Sequence, residues 1–488
     1  MRRLIQLQAF ATIGCTSSSA TIQPASDVAS ERAKVLSTLR WPVQIAGRPP
    51  QLMRLADRMR EYGVSAVSIA VIHDNRVRWT AAIGTRSATS TDSITTETLF
   101  QAASISKPVV ATAVMRLVER GSMSLEDRAN DLLRSWKIPD NKFTEASPVL
   151  LRHLLSHTAG ATNGSVGIYQ PGSPVPTLAQ ALDGLPPSNR PAVRIDFVPG
   201  SDYRYAGGGY SIIQQILIDR TGRSFPELMR ELVLDPLGMS KSCFCQPLPP
   251  DFEARAAVGH DASGAPIAGR WWTLPEMAAG GLWTTAPDLA RFVIAINTAW
   301  SSGVPGFMQR ETARRMLTPI RSAWSLGFNV DTVAGVVRVS HTGSNNGYRS
   351  LFVAYPSRED GMIILTNGDG GAALRDEILR AAAAVYVWPG YEQSVRTIAS
   401  SAGSLRDFAG TYRYAARFAS TLELAGDSLV ARLNGGAPST LLPENANTFF
   451  TLSGTTYRFT RDSDGGPVTG VVVTFADNSQ LKGVRARP

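Results

Sequence analysis

The stretch Phe100-Gln101-Ala102-Ala103-Ser104-Ile105-Ser106-Lys107 decides the fold. After it, Val109, Val110, Ala113, Val114, Leu117 and Val118 recur at helical spacing and Gly121 stops the run. The pattern predicts a helix over 104–120. Ser104 and Lys107 are three residues apart at its start, so their hydroxyl and amine share one helix face. The positive end of the helix dipole favours an alkoxide on the serine and helps to depress the lysine pKa. To act as a base near neutrality, a lysine needs its pKa lowered by about 3, roughly 4 kcal/mol, through burial and neighbouring dipoles. Ser-x-x-Lys alone arises by chance in many proteins. The plain alternative is a helix cap and a solvated lysine.

Two more short motifs lie downstream. Tyr205-Ala206-Gly207 follows Pro199-Gly200-Ser201-Asp202. A tyrosine whose phenol contacts the lysine can shuttle a proton from serine to leaving group. His341-Thr342-Gly343 ends a predicted strand, whose edge can hydrogen-bond an extended acyl substrate. The backbone N–H groups of Ser104 and Ser344 are the expected oxyanion donors.

In this order, the three motifs resemble those of the penicillin-recognising serine hydrolases. That group includes class C β-lactamases, D-alanyl-D-alanine carboxypeptidases, D-aminopeptidases and β-lactamase-like esterases. Leu154-Leu155-Ser156-His157-Thr158-Ala159-Gly160, Pro236-Leu237-Gly238-Met239, Gly280-Gly281-Leu282-Trp283 and the run from His341 to Gly347-Tyr348 strengthen the resemblance, which covers residues 45–390. It implies an α+β fold: an antiparallel sheet of five or more strands flanked by helices, a mostly helical second lobe, and a site between them. It also implies Ser104 as the acylated nucleophile, Lys107 as its proton partner and Tyr205 as general base and acid. His341 stands in for a third-motif lysine, and Thr342, Gly343, Ser344 and Gly207 border the substrate. No cofactor and no metal are implied. Two positions depart from the pattern. Gly207 replaces an asparagine whose amide would hold the lysine and the substrate carbonyl. The charge of His341 fades above about pH 6.5, which weakens carboxylate recognition. Both changes move the reading from β-lactamase toward peptidase, amidase or esterase.

Strand patterns at Ala66–Ile72 and Arg76–Ile83 flank a turn at Asp74-Asn75 and read as a hairpin. A helix is expected over 49–62. Strands return at Val336–Ser340, Ser350–Tyr355 and Gly361–Thr366, before a helix over 371–387. One domain therefore assembles from distant segments, with helices inserted between. From Leu405 to Pro488 the chain is rich in Thr, Val and Gly with repeated turn signals, which predicts a small all-β, lipocalin-like domain. The expected units are a signal or lipoprotein-like segment with linker (1–30), a hydrolase domain (31–395), a linker (396–404) and the β domain (405–488).

Composition narrows the function classes. Of 488 residues, 43% are hydrophobic and 18% charged, which argues against a mostly disordered chain. No apolar run is long enough for a membrane-spanning helix. The net charge of +9 comes from 43 arginines and only six lysines, spread without a basic block, so nucleic acid is not an expected partner. Met1-Arg2-Arg3, a short apolar stretch and Ile13-Gly14-Cys15 resemble a bacterial lipoprotein signal, with Cys15 as the lipid anchor. Gln6, Gln8 and Thr12 depart from that pattern. The expectation is an exported, periplasmic or envelope-associated protein; the alternative is a frayed cytoplasmic N-terminus. Cys243 and Cys245 are two apart, too close for an easy bridge, and read as partly buried thiols.

Rival sites are weaker. His153 and His157 are spaced like zinc-binding helix histidines, but Leu154 stands where a zinc protease needs glutamate. No Gly-x-Ser-x-Gly elbow occurs. Trp271, Trp272 and Trp283 are candidates for the cleft wall, with core packing expected for at least one, and Tyr169 for a rim loop. The resulting reading is a serine acyl-hydrolase working through an acyl-enzyme on D-amino-acid peptides, β-lactams or short-chain esters. The alternative is a penicillin-binding-like recognition or self-assembling module, a homo-oligomer, without efficient turnover.

Overall fold

The computed structural model describes residues 25–162, 166–302, 306–399, 404–415, 418–476 and 478–486. Cys15 and the signal-like segment lie outside them. Helix α1 (Ala25–Ser37) begins within the stretch read as linker, and its Glu31 accepts two hydrogen bonds from Arg78, at 2.8 and 2.9 Å.

Six strands form one antiparallel sheet: β1 (Ala66–His73), β2 (Arg76–Gly84), β3 (Asn329–Val333), β4 (Val336–Asn345), β5 (Tyr348–Tyr355) and β6 (Asp360–Thr366). Their spatial order is β2-β1-β6-β5-β4-β3. Side chains alternate between faces, so a strand buried on both sides feeds two cores. In β1, Ala66, Ala70 and Ile72 enter one core while Val67, Ile69 and Val71 enter the other. Three short late strands were expected. The structure lengthens the first to Asn345 and adds β3, which Val336–Ser340 needs as a neighbour. Pairing of β3 with β4 stops at Ser340, so the stretch 341–345 runs past it with one backbone edge uncovered by β3.

Between β2 and β3 the chain makes the helical lobe. Helices α2 (Ser106–Glu119) and α3 (Gly207–Thr221) are buried on most of their faces, as a central position requires. Helix α4 (Ala286–Ser301) presses Leu289, Phe292 and Val293 onto the lobe's side of the sheet. Helix α5 (Gly371–Tyr386) covers the opposite face with Leu374, Ile378 and Ala382. Glu377 of α5 takes two hydrogen bonds from Arg58, at 2.7 and 2.8 Å, and one from the Tyr62 hydroxyl at 2.6 Å. Arg58 and Glu377 are 4% and 2% exposed, so this is a buried ion pair.

The cysteine expectation is corrected: Cys243 and Cys245 form a disulfide. The chain turns at the buried Phe244 and sets the two Cα atoms 5.3 Å apart, within the usual range for a bridge. Sequence separation alone did not reveal that turn.

The C-terminal residues form a closed barrel of eight strands, from β7 (Gly410–Ala415) to β14 (Gln480–Arg485). Closure pairs Tyr412 with Arg485 and Arg413 with Val484. The interior is filled rather than hollow: Phe408, on a 3-10 turn before β7, packs 4.9 Å from Phe449 and 4.8 Å from Phe459 between ring centroids. Arg396 joins the barrel to the rest, bonding Glu444 at 2.7 and 2.9 Å and Thr456 at 2.8 Å.

Candidate active site

The first turn of α2 is reached through a 3-10 turn, Ala103–Ile105. Ala103 has φ +50°, a left-handed conformation that costs a non-glycine residue of order 1–3 kcal/mol. Three contacts hold it. Ser106 Oγ donates to the Ala103 carbonyl at 2.6 Å and accepts from Leu282 N–H at 3.0 Å. Ser350 Oγ donates to the Ala102 carbonyl at 2.7 Å. The turn thus presents Ser104 at the end of α2, facing the floor of a cleft of about 460 Å³.

Lys107 is fully buried beneath it. Its Nζ lies 3.1 Å from Ser104 Oγ and 2.7 Å from the Ala279 carbonyl. Burial lowers its pKa from the ordinary lysine value to about 7. Gly207, at the start of α3, brings no amide to this amine. The second hydrogen bond comes instead from a backbone carbonyl, a partner that leaves no mark in a side-chain pattern.

Tyr205 lies one residue before the N-cap of α3. Its phenol interacts with Ser104, which opposes the rise of its pKa, and Lys107 Nζ is 4.8 Å from its ring centroid. Burial pushes the phenol above its usual range, against the pull of Ser104, so it holds its proton at neutral pH. His157 packs on the Tyr205 ring at 4.4 Å. Its Nδ1 accepts from Ala206 N–H at 3.2 Å, which assigns the ring proton to Nε2. His157 therefore positions the tyrosine. His153 Nδ1 accepts from Leu150 N–H at 3.2 Å, and no metal-binding cluster is present among the described residues.

His341 on β4 is buried, with Nδ1 2.7 Å from the Thr342 carbonyl. Burial, then the charge of Lys107, lowers its pKa to about 3, against the carbonyl bond that raises it. The sequence-based expectation of a charge that fades near pH 6.5 is thus corrected: His341 is neutral throughout the physiological range. Thr342 and Ser344 face the cleft, whereas Gly343 is buried. A Cβ on Gly343 would meet the Ala102 carbonyl and Ser350 Oγ, both at 2.1 Å, so only glycine lets β4 pass this close to the serine turn.

The tryptophan expectation is also revised. Trp271 and Trp283 are core residues, packed edge-to-face at 5.9 Å, and Trp272 donates to the Asn346 carbonyl at 2.9 Å. The cleft wall is instead Trp324, stacked on Tyr203 at 5.8 Å and edge-on to His341 at 5.5 Å. Tyr169 is buried, pairing with Thr273, while its neighbours Val166 and Ile168 line the cleft. No lining residue comes from the barrel.

Comparisons with known proteins identify the family and the fold. The β-lactamase family model matches residues 53–386. Penicillin-binding protein 4 of Amycolatopsis lactamdurans is 27% identical over 307 residues, covering 59% of this chain and 77% of the relative. Esterase EstB of Burkholderia gladioli is 28% identical over 181 residues, 35% of this chain and 44% of the esterase. The octameric penicillin-binding protein homologue from Pyrococcus abyssi shares the fold, with a TM-score of 0.56 at 22% identity over 88% of this chain and 98% of that one. The chain belongs to the β-lactamase family, whose members are of serine-hydrolase type.

Proposed function

We propose that the protein is a serine acyl-hydrolase acting on amides and esters. The observation that carries this reading is the contact between Ser104 Oγ and a buried Lys107 amine whose pKa is about 7. Near neutrality a large fraction of Lys107 is uncharged and can accept the serine proton. Ser104 Oγ then attacks the substrate carbonyl carbon, and the backbone N–H groups of Ser104 and Ser344 hold the resulting oxyanion. As the tetrahedral intermediate collapses, the Tyr205 phenol gives its proton to the leaving atom and recovers one from Lys107. Water repeats the sequence on the acyl-enzyme and releases the acid.

Neutral His341 and Gly207 weaken recognition of a carboxylate in the manner of a β-lactamase. They favour D-amino-acid peptides, related amides and short-chain esters over β-lactams. The likeness to an esterase supports the ester arm. The octameric relative supports self-assembly, which light scattering measures. The signal-like segment supports an exported protein anchored at Cys15, which radiolabelled palmitate tests.

The deciding assay compares wild type with Ser104→Ala on a p-nitrophenyl ester and on nitrocefin. Equal rates for both proteins would sink the hydrolase reading. A β-lactam mass adduct on the Ser104 peptide without turnover would favour the recognition module instead.

A further inference from the structure

The cleft has two chemically different ends. At one, Tyr203, Tyr205, Trp324 and His341 make an aromatic wall with no charged group. At the other stands Arg190, with Val166, Ile168 and Asn345 beside it over Gly280. Arg190 donates from Nε to the Val166 carbonyl at 3.0 Å, which fixes the plane of the guanidinium. No ion pair among the described residues includes it. Glu276, the acid on which its charge acts, is buried behind the same loop, where Oε1 accepts from Gly167 N–H at 3.0 Å. Burial raises the pKa of Glu276, and the residue does not line the cleft. With His341 neutral, Arg190 is the arginine of a cleft whose other basic groups, Lys107 and His341, are buried in the floor and wall.

Which end takes which half of the substrate follows from proton delivery. The leaving atom must sit beside the group that protonates it, so the Tyr205 end receives the leaving group. The Arg190 end receives the acyl group.

Resting on the acyl-hydrolase reading, we infer that Arg190 is a specificity-determining residue that binds a carboxylate on the acyl part of the substrate. The preferred substrate class is an ester or amide of a dicarboxylic or acidic amino-acid acyl group with an uncharged, aromatic or apolar leaving group. A fixed guanidinium offers two parallel N–H donors to a carboxylate, which a neutral acyl chain cannot use.

The test pairs p-nitrophenyl hexanoate with the mono-p-nitrophenyl ester of adipic acid, matched in chain length and differing in a terminal carboxylate. The ratio of kcat/KM for adipate over hexanoate is expected to fall by at least about tenfold in Arg190→Gln, with Arg190→Lys between the two. Raised salt should narrow the wild-type ratio. An unchanged ratio in Arg190→Gln would overturn the proposal. A second arm needs no turnover: calorimetry on Ser104→Ala, with and without Arg190→Gln, using adipic acid monoanilide and hexananilide. If neither ester is cleaved faster than by Ser104→Ala, the hydrolase reading falls, and the calorimetric arm decides. Tighter binding of the monoanilide that disappears with Arg190→Gln upholds the carboxylate subsite; the same affinity with and without Arg190 refutes it.

Discussion

The Nδ1–H of His341 donates to the carbonyl of Thr342, the next residue on its own strand, at 2.7 Å. That bond selects the neutral tautomer with a bare lone pair on Nε2, a buried atom with no partner among the described residues. With its pKa lowered to about 3, His341 contributes no titration to a neutral-pH profile, whereas Lys107, at about 7, does. The base form of Lys107 is the unprotonated amine. The kcat/KM for a p-nitrophenyl ester should therefore rise with pH through about 7 and level off above it, with the same midpoint in His341→Gln. A midpoint that moves with His341→Gln would show that the histidine titrates.

Lys107 also links pH to stability. Below about pH 7 it is protonated in both the folded and unfolded states, and the cost of burying the ammonium is felt in full. Between about 7 and 10.4 the unfolded chain holds a proton that the folded chain has lost, so rising pH relieves that cost. The stability of wild type relative to Lys107→Met should climb over this interval, by up to about 1.4 kcal/mol per pH unit. Urea unfolding of both proteins at several pH values reads the difference. A difference that falls with pH contradicts the buried-amine description.

Gly343 sits where β4 crosses the serine turn. Gly343→Ala puts a methyl group 2.1 Å from both the Ala102 carbonyl and Ser350 Oγ, so the strand or the turn has to shift. The expected cost is about 1–3 kcal/mol of stability. Displacing the oxyanion donors should lower kcat/KM by roughly 100-fold. Thermal unfolding and ester hydrolysis measured on the same sample check both effects.

These cases show which features a linear sequence discloses. Ser104, Lys107 and the surrounding helix were legible because a helix brings residues three apart together, and the two-sided apolar strands were legible because alternation is local. Tyr205 and His341 were legible through motif order, and the structure brings both to the same cleft. Trp324, Tyr203 and Arg190 reach the cleft from irregular segments, which have no period to read. The partner supplied by the Ala279 carbonyl is main chain, and any residue type could provide it. The charge state of His341 depends on burial that only the assembled lobes create.

The pair Arg58–Glu377 ties the segment before β1 to α5. Glu377→Ala leaves the buried Arg58 guanidinium with Glu61, a largely exposed carboxylate, as its remaining ion-pair partner, so the expected cost is at or below the lower end of the roughly 3–5 kcal/mol typical of a broken buried pair. A fall of that size in denaturant unfolding is expected. Because the pair is remote from the cleft lining, the KM for an ester should stay as in wild type while the protein is folded. A stability change under about 1 kcal/mol would show that Glu61 and solvent suffice to hold the arginine.

The barrel's closure limits the ways in which another chain could dock on it. A sheet that ends in open strands offers unpaired N–H and C=O groups to any neighbour and invites sheet-to-sheet aggregation. Pairing Tyr412 with Arg485 removes that hazard from the C-terminal end. A contact with the barrel wall would then rest on side chains, which natural variation can tune one at a time, and no residue of the barrel lines the cleft around Ser104.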